Sequence, residues 1–227
     1  MRKSYLGYLL QKRDDTLMPL VYAFNMLPTR YIHASWVEEL VPSNLCGMLR
    51  DNPRTEQRLA NTILNRLGLT DQFWFDFEQP HRRLALIDAD DLINAAYYAG
   101  IALNGPSIAA AISRQDVVFV RESIGEESYQ FAIKKAPFLV GRWPLSLPDQ
   151  VGFDFDAHVR NCGMLALAAC FADEPPALIQ RLQLKFPKDK GLKLYKNPWA
   201  KEKDRAQRMF HKILIHEVAP QWAALFN

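Results

Sequence analysis

The sequence predicts a mainly α-helical protein with at most minor β structure, folded as a compact multi-helix domain over residues 24–227. Two observations carry this prediction. Apolar residues recur at three- and four-residue spacing over most of the chain, and residues that favour helix ends flank those patterns. Of the 227 residues, 49% are hydrophobic and 11% aromatic, which suffices for a substantial core. If the chain forms two lobes, they would join in the proline-rich stretch at 137–150.

The N-terminal part of the chain is predicted to start with a mobile, charged leader at residues 1–23. A short helix at 31–40 follows. Asn52 and Pro53 then begin a longer helix, because an Asn side chain caps free backbone N–H groups and proline suits the first helical turn. Gly68 ends this helix, since glycine is favoured just beyond a helix C-terminus.

The middle of the chain carries further helical patterns. A helix is predicted from Asp88 to Gly105, and Pro106 starts the next one, because proline is favoured at a helix start and disrupts a helix interior. Residues 116–136 combine a short strand-prone run with apolar residues at helical spacing. The longer helical stripe favours helices over a strand.

Beyond the proline-rich stretch, three more helices are predicted: one at 155–171, one starting at Pro175 or Pro176, and one at 202–218. The last of them is amphipathic, with its apolar stripe directed inwards.

The cysteines and the apolar runs bear on the cellular compartment. The three cysteines, Cys46, Cys162 and Cys170, form no Cys-x-x-Cys pair, and their odd number argues against a disulfide framework. Buried, reduced thiols are expected instead, as in the cytosol. The longest nearly apolar run, 163–172, is too short to span a bilayer, and the N-terminus lacks the apolar core of a signal peptide.

The net charge of +3 is unevenly distributed along the chain. Residues 185–212 contain ten Lys or Arg against three acidic residues, so the rest of the chain is net acidic. This distribution suggests a contact surface for an acidic partner. The alternative is a helical nucleic-acid-binding protein that uses 185–212 for phosphate contacts, with Tyr195 and Trp199 stacking on bases.

One group of residues could carry metal chemistry. On a strand, Asp154, Asp156 and His158 would share one face and could bind a metal ion, as in a metal-dependent hydrolase. Because an apolar helical pattern follows, the favoured interpretation is that Asp154 or Asp156 caps that helix and His158 lies in its first turn. No phosphate-binding loop, nucleophile elbow or zinc motif is found. We therefore predict no catalytic, cofactor-binding or metal-binding residues, and no enzyme.

Five stretches of the sequence form a recognisable set. They are Pro28-x-x-Tyr31-Ile32-His33 with Trp36; Gly100-Ile101-Ala102-Leu103-Asn104-Gly105; Phe138-Leu139-Val140-Gly141-Arg142-Trp143-Pro144; Arg181-Leu182-Gln183-Leu184-Lys185-Phe186-Pro187; and His211-Lys212-Ile213-Leu214 with Val218 and Pro220. In order and spacing these resemble the YscK-like (SctK) family of type III secretion systems, over about residues 23–227.

The resemblance implies a cytoplasmic adaptor that is required for secretion, is not an enzyme and carries no cofactor. It implies two partners, namely the forkhead-associated-like cytoplasmic domain of the inner-membrane ring protein and the pod protein of the sorting platform. The implied location is peripheral to the inner membrane at the base of the secretion apparatus, without membrane insertion.

Two groups of residues are candidates for the contacts that such an adaptor makes, since Trp and Arg are frequent interface anchors. The first group is Arg142 and Trp143, and the second is Trp199, Lys201, Lys203 and Arg205. For Trp143 the alternative is a purely structural role, closing the core under Pro144.

Overall fold

The computed structural model describes residues 16–38, 49, 52–141, 143, 154–194 and 196–226. These residues form helices joined by turns and include no strand, which confirms the predicted mainly α class. The chain divides into two compact units. The first takes residues up to 89 together with 173–192 and 224–227, and the second takes 90–172 and 193–223.

The division does not follow the predicted lobe boundary. Described residues on both sides of the proline-rich stretch at 137–150 belong to the second unit, and the chain passes between the units near residues 89, 172, 192 and 223. Each unit is therefore assembled from segments that are distant in sequence.

The helices of the first unit are short except for one. They are α1 (Leu17–Met26), α2 (Ala34–Val37), α3 (Pro53–Arg66), α4 (Pro80–Arg83) and, from the later part of the chain, α10 (Pro176–Gln183). The unit also contains two 3-10 turns, Pro28–Arg30 after α1 and Leu84–Leu86 after α4.

Helix α1 corrects the predicted extent of the leader. Residues 17–23 lie in this helix, and Leu17 and Val21 are buried, with 2% and 1% of their surface exposed. Together with Phe24 they form an apolar stripe at three- and four-residue spacing, so this segment belongs to the core. Residues 1–15 lie outside the described part of the chain.

Helix ends in the first unit mostly follow local sequence signals. The Asn52 side chain accepts a hydrogen bond from the Arg54 backbone N–H (3.0 Å), and Gly68 adopts a φ of +67° just after α3, as predicted. Helix α2 is shorter than the predicted 31–40 segment, because His33 caps it by accepting a hydrogen bond from the Ser35 N–H.

The second unit contains the longer helices. They are α5 (Ala89–Ala109, whose first residue belongs to the first unit), α6 (Arg114–Ile124), α7 (Glu126–Lys134), α8 (Ala136–Leu139), α9 (Phe155–Cys170) and α11 (Lys203–Ile213). A 3-10 turn at Ala200–Glu202 precedes α11, and a π-helical turn at Leu214–Val218 and a 3-10 segment at Pro220–Phe226 follow it.

These helices confirm most of the predictions for this region and correct one. Helices α6 and α7 occupy the ambiguous 116–136 stretch, separated by Gly125 with a φ of +83°. Helix α5, however, continues through Pro106 instead of ending at Gly105. Pro106 is exposed and lies in the last turn of α5, so the backbone carbonyl that loses its N–H partner is close to the helix end.

Helices α5 and α9 cross with almost no space between their backbones. A Cβ placed on Gly100 would lie 2.0 Å from the carbonyl oxygen of Val159, and one on Gly163 would lie 1.8 Å from that of Ala96. Both distances are far below any real contact, so only glycine fits at either position. None of the described helices is both long and apolar enough to cross a bilayer.

Candidate partner-binding surface

Two of the predicted contact residues, Trp143 and Trp199, meet although 55 positions separate them in the sequence. Their ring centroids are 5.6 Å apart with an interplanar angle of 88°, an edge-to-face contact. The guanidinium carbon of Arg205 lies 5.0 Å from the centroid of the Trp143 ring, in cation–π range. The two predicted groups therefore share one cluster. Arg142 lies outside the described residues.

Trp199 forms the buried side of this cluster. Only 6% of its surface is exposed, and its backbone N–H donates to the side-chain oxygen of Asn197 (2.8 Å). The Asn197 amide in turn donates to the Leu165 carbonyl of α9 (2.8 Å). These bonds fix the turn before α11, so Trp199 supports Trp143 from inside the unit while Trp143 is half-buried.

Arg205 is held in place from two sides. Its guanidinium donates to the Glu202 carboxylate at 2.9 Å, one turn earlier along the chain, and lies over the Trp143 ring. Lys201 is exposed and Lys203 is half-buried, both next to this pair in sequence. Since a guanidinium is planar and always charged, Arg205 presents a fixed positive group at the edge of the aromatic pair.

A groove opens beside the cluster, with a cavity of about 160 Å³. Its lining residues come from α8 and the turn after it and from α11: Leu139, Val140, Gly141, Trp143, Arg205, Arg208, Met209 and Lys212. Three of these residues are cationic, and none of the lining residues in the described part of the chain is acidic. We call this feature the basic groove.

Arg208 and Lys212 line the groove but are not in the predicted contact groups, although their spacing in the sequence points to them. With Arg205 they occupy positions i, i+3 and i+7, which lie on one face of a helix. Met209, 2% exposed, contributes apolar surface between them. That α8 lines the groove could not be predicted from the residues around it, because nothing in its short sequence indicates which helix it packs against.

The three residues with metal-binding potential do not converge. The Asp154 carboxylate caps α9 by accepting from the Ala157 N–H (3.0 Å), and Asp156 pairs with Arg160 at 2.6 Å. Nε2 of His158 lies 3.4 Å from the Cys162 sulfur. They start a helix, as the favoured interpretation predicted, and the described residues hold no group of three or more potential metal ligands.

The His158–Cys162 contact does not form an activated nucleophile. Burial lowers the pKa of His158 and raises the pKa of Cys162, so both groups favour their neutral forms and a thiolate–imidazolium pair is disfavoured. Cys162 and Cys170 are buried free thiols, as predicted, and Cys46 lies outside the described residues.

Part of the basic segment at 185–212 is buried. Lys185 belongs to the first unit and is only 3% exposed; its amine donates to the Ile87 carbonyl, and burial lowers its pKa to about 7. Residues from Lys193 onwards belong to the second unit. Of the two residues expected to stack on bases, Trp199 is buried and Tyr195 is not among the described residues.

The fold and the groove together define an all-helical protein whose predicted contact residues form a basic surface with an aromatic base. The particular family is given by sequence: the family model "YOP proteins translocation protein K (YscK)" matches residues 19–227. The chain therefore belongs to the YscK family of type III secretion proteins, which is not a class of enzymes, and the predicted resemblance is confirmed.

A solved structure supports the fold. The chain is similar to the cytoplasmic domain of the type III secretion sorting platform protein PscK from P. aeruginosa, with a TM-score of 0.53 and 20% sequence identity. The similarity covers 86% of this chain and 93% of the PscK domain. Among curated proteins no match is found.

Proposed function

We infer that this protein is a cytoplasmic adaptor of the injectisome sorting platform, peripheral to the inner membrane at the base of the apparatus. It bridges the cytoplasmic domain of the inner-membrane ring protein to the pod protein. Membership of the YscK family and the likeness of the fold to a sorting platform protein support this inference.

The observation that carries the proposal is the convergence of Trp143, Trp199 and Arg205 at the basic groove. Tryptophan and arginine are enriched among the residues that dominate binding energy at protein interfaces. The surrounding lysines and arginines add positive charge, which speeds the encounter with an acidic partner more than it deepens affinity.

An adaptor needs two contact surfaces. Trp143, Trp199 and Arg205 come from both predicted groups and form one cluster, so they serve one partner, and the other partner is bound elsewhere on the protein. The basic groove receives the more acidic of the two.

The first test is to purify tagged protein from secreting cells, with nuclease treatment, and to identify what co-elutes by mass spectrometry. Recovery of the ring protein and the pod protein is the expected result. If neither is recovered, the adaptor function is wrong. Nuclease-sensitive material, together with steeply salt-dependent binding to random duplex DNA, would instead support the nucleic-acid alternative.

A second test reverses the charges of Lys201, Lys203 and Arg205 to Glu. Binding of one partner should fall strongly at low salt, and the other partner should bind as before. The matched control is the reversal of Lys188, Lys190 and Lys193, three exposed lysines of the same basic segment. Equal binding of both partners by the two triple variants would remove this surface from the proposal.

A further inference from the structure

The basic groove has the size of a single side chain. It is lined by Trp143, by the end of α8 and the turn after it, and by one face of α11. A cavity of about 150 Å³ in a protein can hold a benzene molecule. The 160 Å³ here therefore accommodates one leucine- or phenylalanine-sized group, not an extended surface.

The charged residues that line the groove in the described part of the chain are all cationic. The positive charge of Arg205 is partly offset by Glu202, its ion-pair partner at 2.9 Å. Arg208 and Lys212 are exposed, and neither forms an ion pair within the part of the chain that the structure describes. Asp204, also exposed, is the one acidic residue of α11 and does not line the groove. The groove thus presents two accessible cations, a helical turn apart, beside a small cavity to which Leu139, Val140 and Trp143 contribute apolar surface.

This combination favours a carboxylate-bearing peptide over a nucleic acid. A guanidinium binds a carboxylate or a phosphate through two parallel hydrogen bonds, so the cations by themselves do not discriminate between the two. The cavity favours a peptide, because it is the size of one side chain and is lined in part by apolar residues. Base stacking would need an open aromatic face. The Trp143 ring instead has Arg205 over its face and contacts Trp199 edge-to-face.

We propose that the basic groove binds a short acidic segment of a partner protein, with one apolar side chain in the cavity and carboxylates on Arg208 and Lys212. The proposal rests on the adaptor function and specifies the chemistry of the partner at this surface. The apolar side chain adds contacts with the aliphatic and aromatic lining, and the carboxylates supply orientation and a fast encounter.

Site-specific photo-crosslinking in secreting cells tests the proposal. A benzoylphenylalanine in place of Leu139, which lines the groove, should crosslink to a peptide of another protein that contains several acidic residues and at least one large apolar residue. The same crosslinker in place of Ile112, which is 92% exposed and lies outside the groove, is the positional control and should not capture that peptide.

Charge reversal makes the test specific. Combining Leu139→benzoylphenylalanine with Arg208→Glu and Lys212→Glu should lower the yield of the crosslinked peptide about tenfold, because the accessible cations of the groove become acidic. Reversing Lys190 and Lys193 instead changes the net charge equally and should leave the yield unchanged. All four residues are exposed, so the fold should be retained, which circular dichroism checks.

Several results would overturn the proposal: a crosslink to a second copy of this chain, to its own residues or to nucleic acid; a captured peptide without acidic residues; no crosslink; or a yield that the reversal of Arg208 and Lys212 does not change. The adaptor function is judged separately. If the ring and pod proteins co-purify with the double-reversed protein as well as with the unmodified protein, the groove proposal fails and the adaptor function stands. If neither co-purifies with the unmodified protein, the adaptor function fails.

Discussion

In the first unit two cationic side chains are buried, whereas in the second unit the cations of α11 line an open groove. Arg181, fully buried, donates to the carbonyls of Leu69 (3.0 Å), Gln72 (3.0 Å) and Asn25 (2.8 Å). Lys185, a few residues later, donates to the Ile87 carbonyl. Basic side chains in this later part of the chain thus either donate to buried carbonyls or line the groove.

The contrast extends to how each core is closed. In the first unit, Arg181 joins the C-terminal end of α1 to the loop after α3 by donating to the carbonyls of Asn25 and Leu69, the second of which also accepts from the Gln72 N–H. In the second unit, α5 and α9 approach so closely at Gly100 and Gly163 that backbone contacts backbone. The first core therefore contains a buried, hydrogen-bonded guanidinium, whereas in the second core two glycines without side chains let the helices approach closely.

The largest effect is expected at the glycine crossing. Gly163→Ala would place a methyl group against the Ala96 carbonyl, and because both atoms belong to helix backbones, α5 and α9 must separate. We expect a loss of more than about 3 kcal/mol in the free energy of unfolding, measured by urea denaturation. Gly141→Ala is the control, since the nearest atom to its Cβ is 3.6 Å away; a similar loss there would contradict the explanation.

Removal of the buried guanidinium should have the next largest effect. Arg181→Met would keep much of the side-chain volume but leave the carbonyls of Leu69, Gln72 and Asn25 without their donor, at a cost of about 2–3 kcal/mol. Arg66→Met, at an exposed position of the same unit, should change the stability little. Equal stability of the two variants would show that Arg181 is not needed to close this core.

Lys185 should make the stability of the protein depend on pH. Its pKa is about 7 in the folded state against 10.5 for an ordinary lysine, because burial disfavours the charged amine. Between these values the unfolded chain binds more protons than the folded one, so the free energy of unfolding rises with pH. The slope is at most about 1.4 kcal/mol per pH unit, and below pH 7 this contribution is constant.

The Lys185→Met variant isolates this contribution. Relative to the unmodified protein it should be more stable at pH 7 than at pH 9. Over this range the folded unmodified protein loses the proton of Lys185 while the unfolded chain keeps it, so the free energy of unfolding of the unmodified protein rises. The Tyr31 hydroxyl has a pKa raised to about 12 by burial, so it stays protonated over this range and does not interfere. Parallel pH profiles of the two proteins would contradict the prediction.

The smallest effect on stability is expected at the groove. Arg205→Ala removes a partly exposed ion pair with Glu202 and should cost only about 0.5 kcal/mol. The near-ultraviolet circular dichroism of Trp143 should nevertheless change, because its ring loses the guanidinium above it. A loss as large as that of Arg181→Met would mean that this arginine is part of the core, and the contrast between the two units would not hold.

Local sequence signals predicted most of the helices. Asn52 and Asp154 cap the following helices, and Gly68 ends α3 where expected, because each of these effects depends on backbone groups within a few residues. The predicted leader is too long, because its charged residues mask the apolar stripe of α1. Pro106 is a common residue at a helix start, and the local pattern does not show that it lies near the end of α5 instead.

The candidate site could be predicted only in part. Trp143, Trp199 and Arg205 were singled out by residue type, but they were assigned to two groups because 55 residues separate the tryptophans. Arg208 and Lys212 share the helical face of Arg205, yet the spacing does not tell a solvated face from one that lines a groove.

The sequence by itself determined the helical class and the main helix starts, because periodicity and capping are properties of neighbouring residues. It also determined the family, through the five stretches that resemble it and the match of the family model to residues 19–227. The tertiary structure decided which lysines of the basic segment are buried, where α5 and α9 touch, and that the two candidate groups form one cluster. These outcomes depend on contacts between residues distant along the chain. A side chain's burial, and with it the cost or benefit of its charge, is set by such contacts.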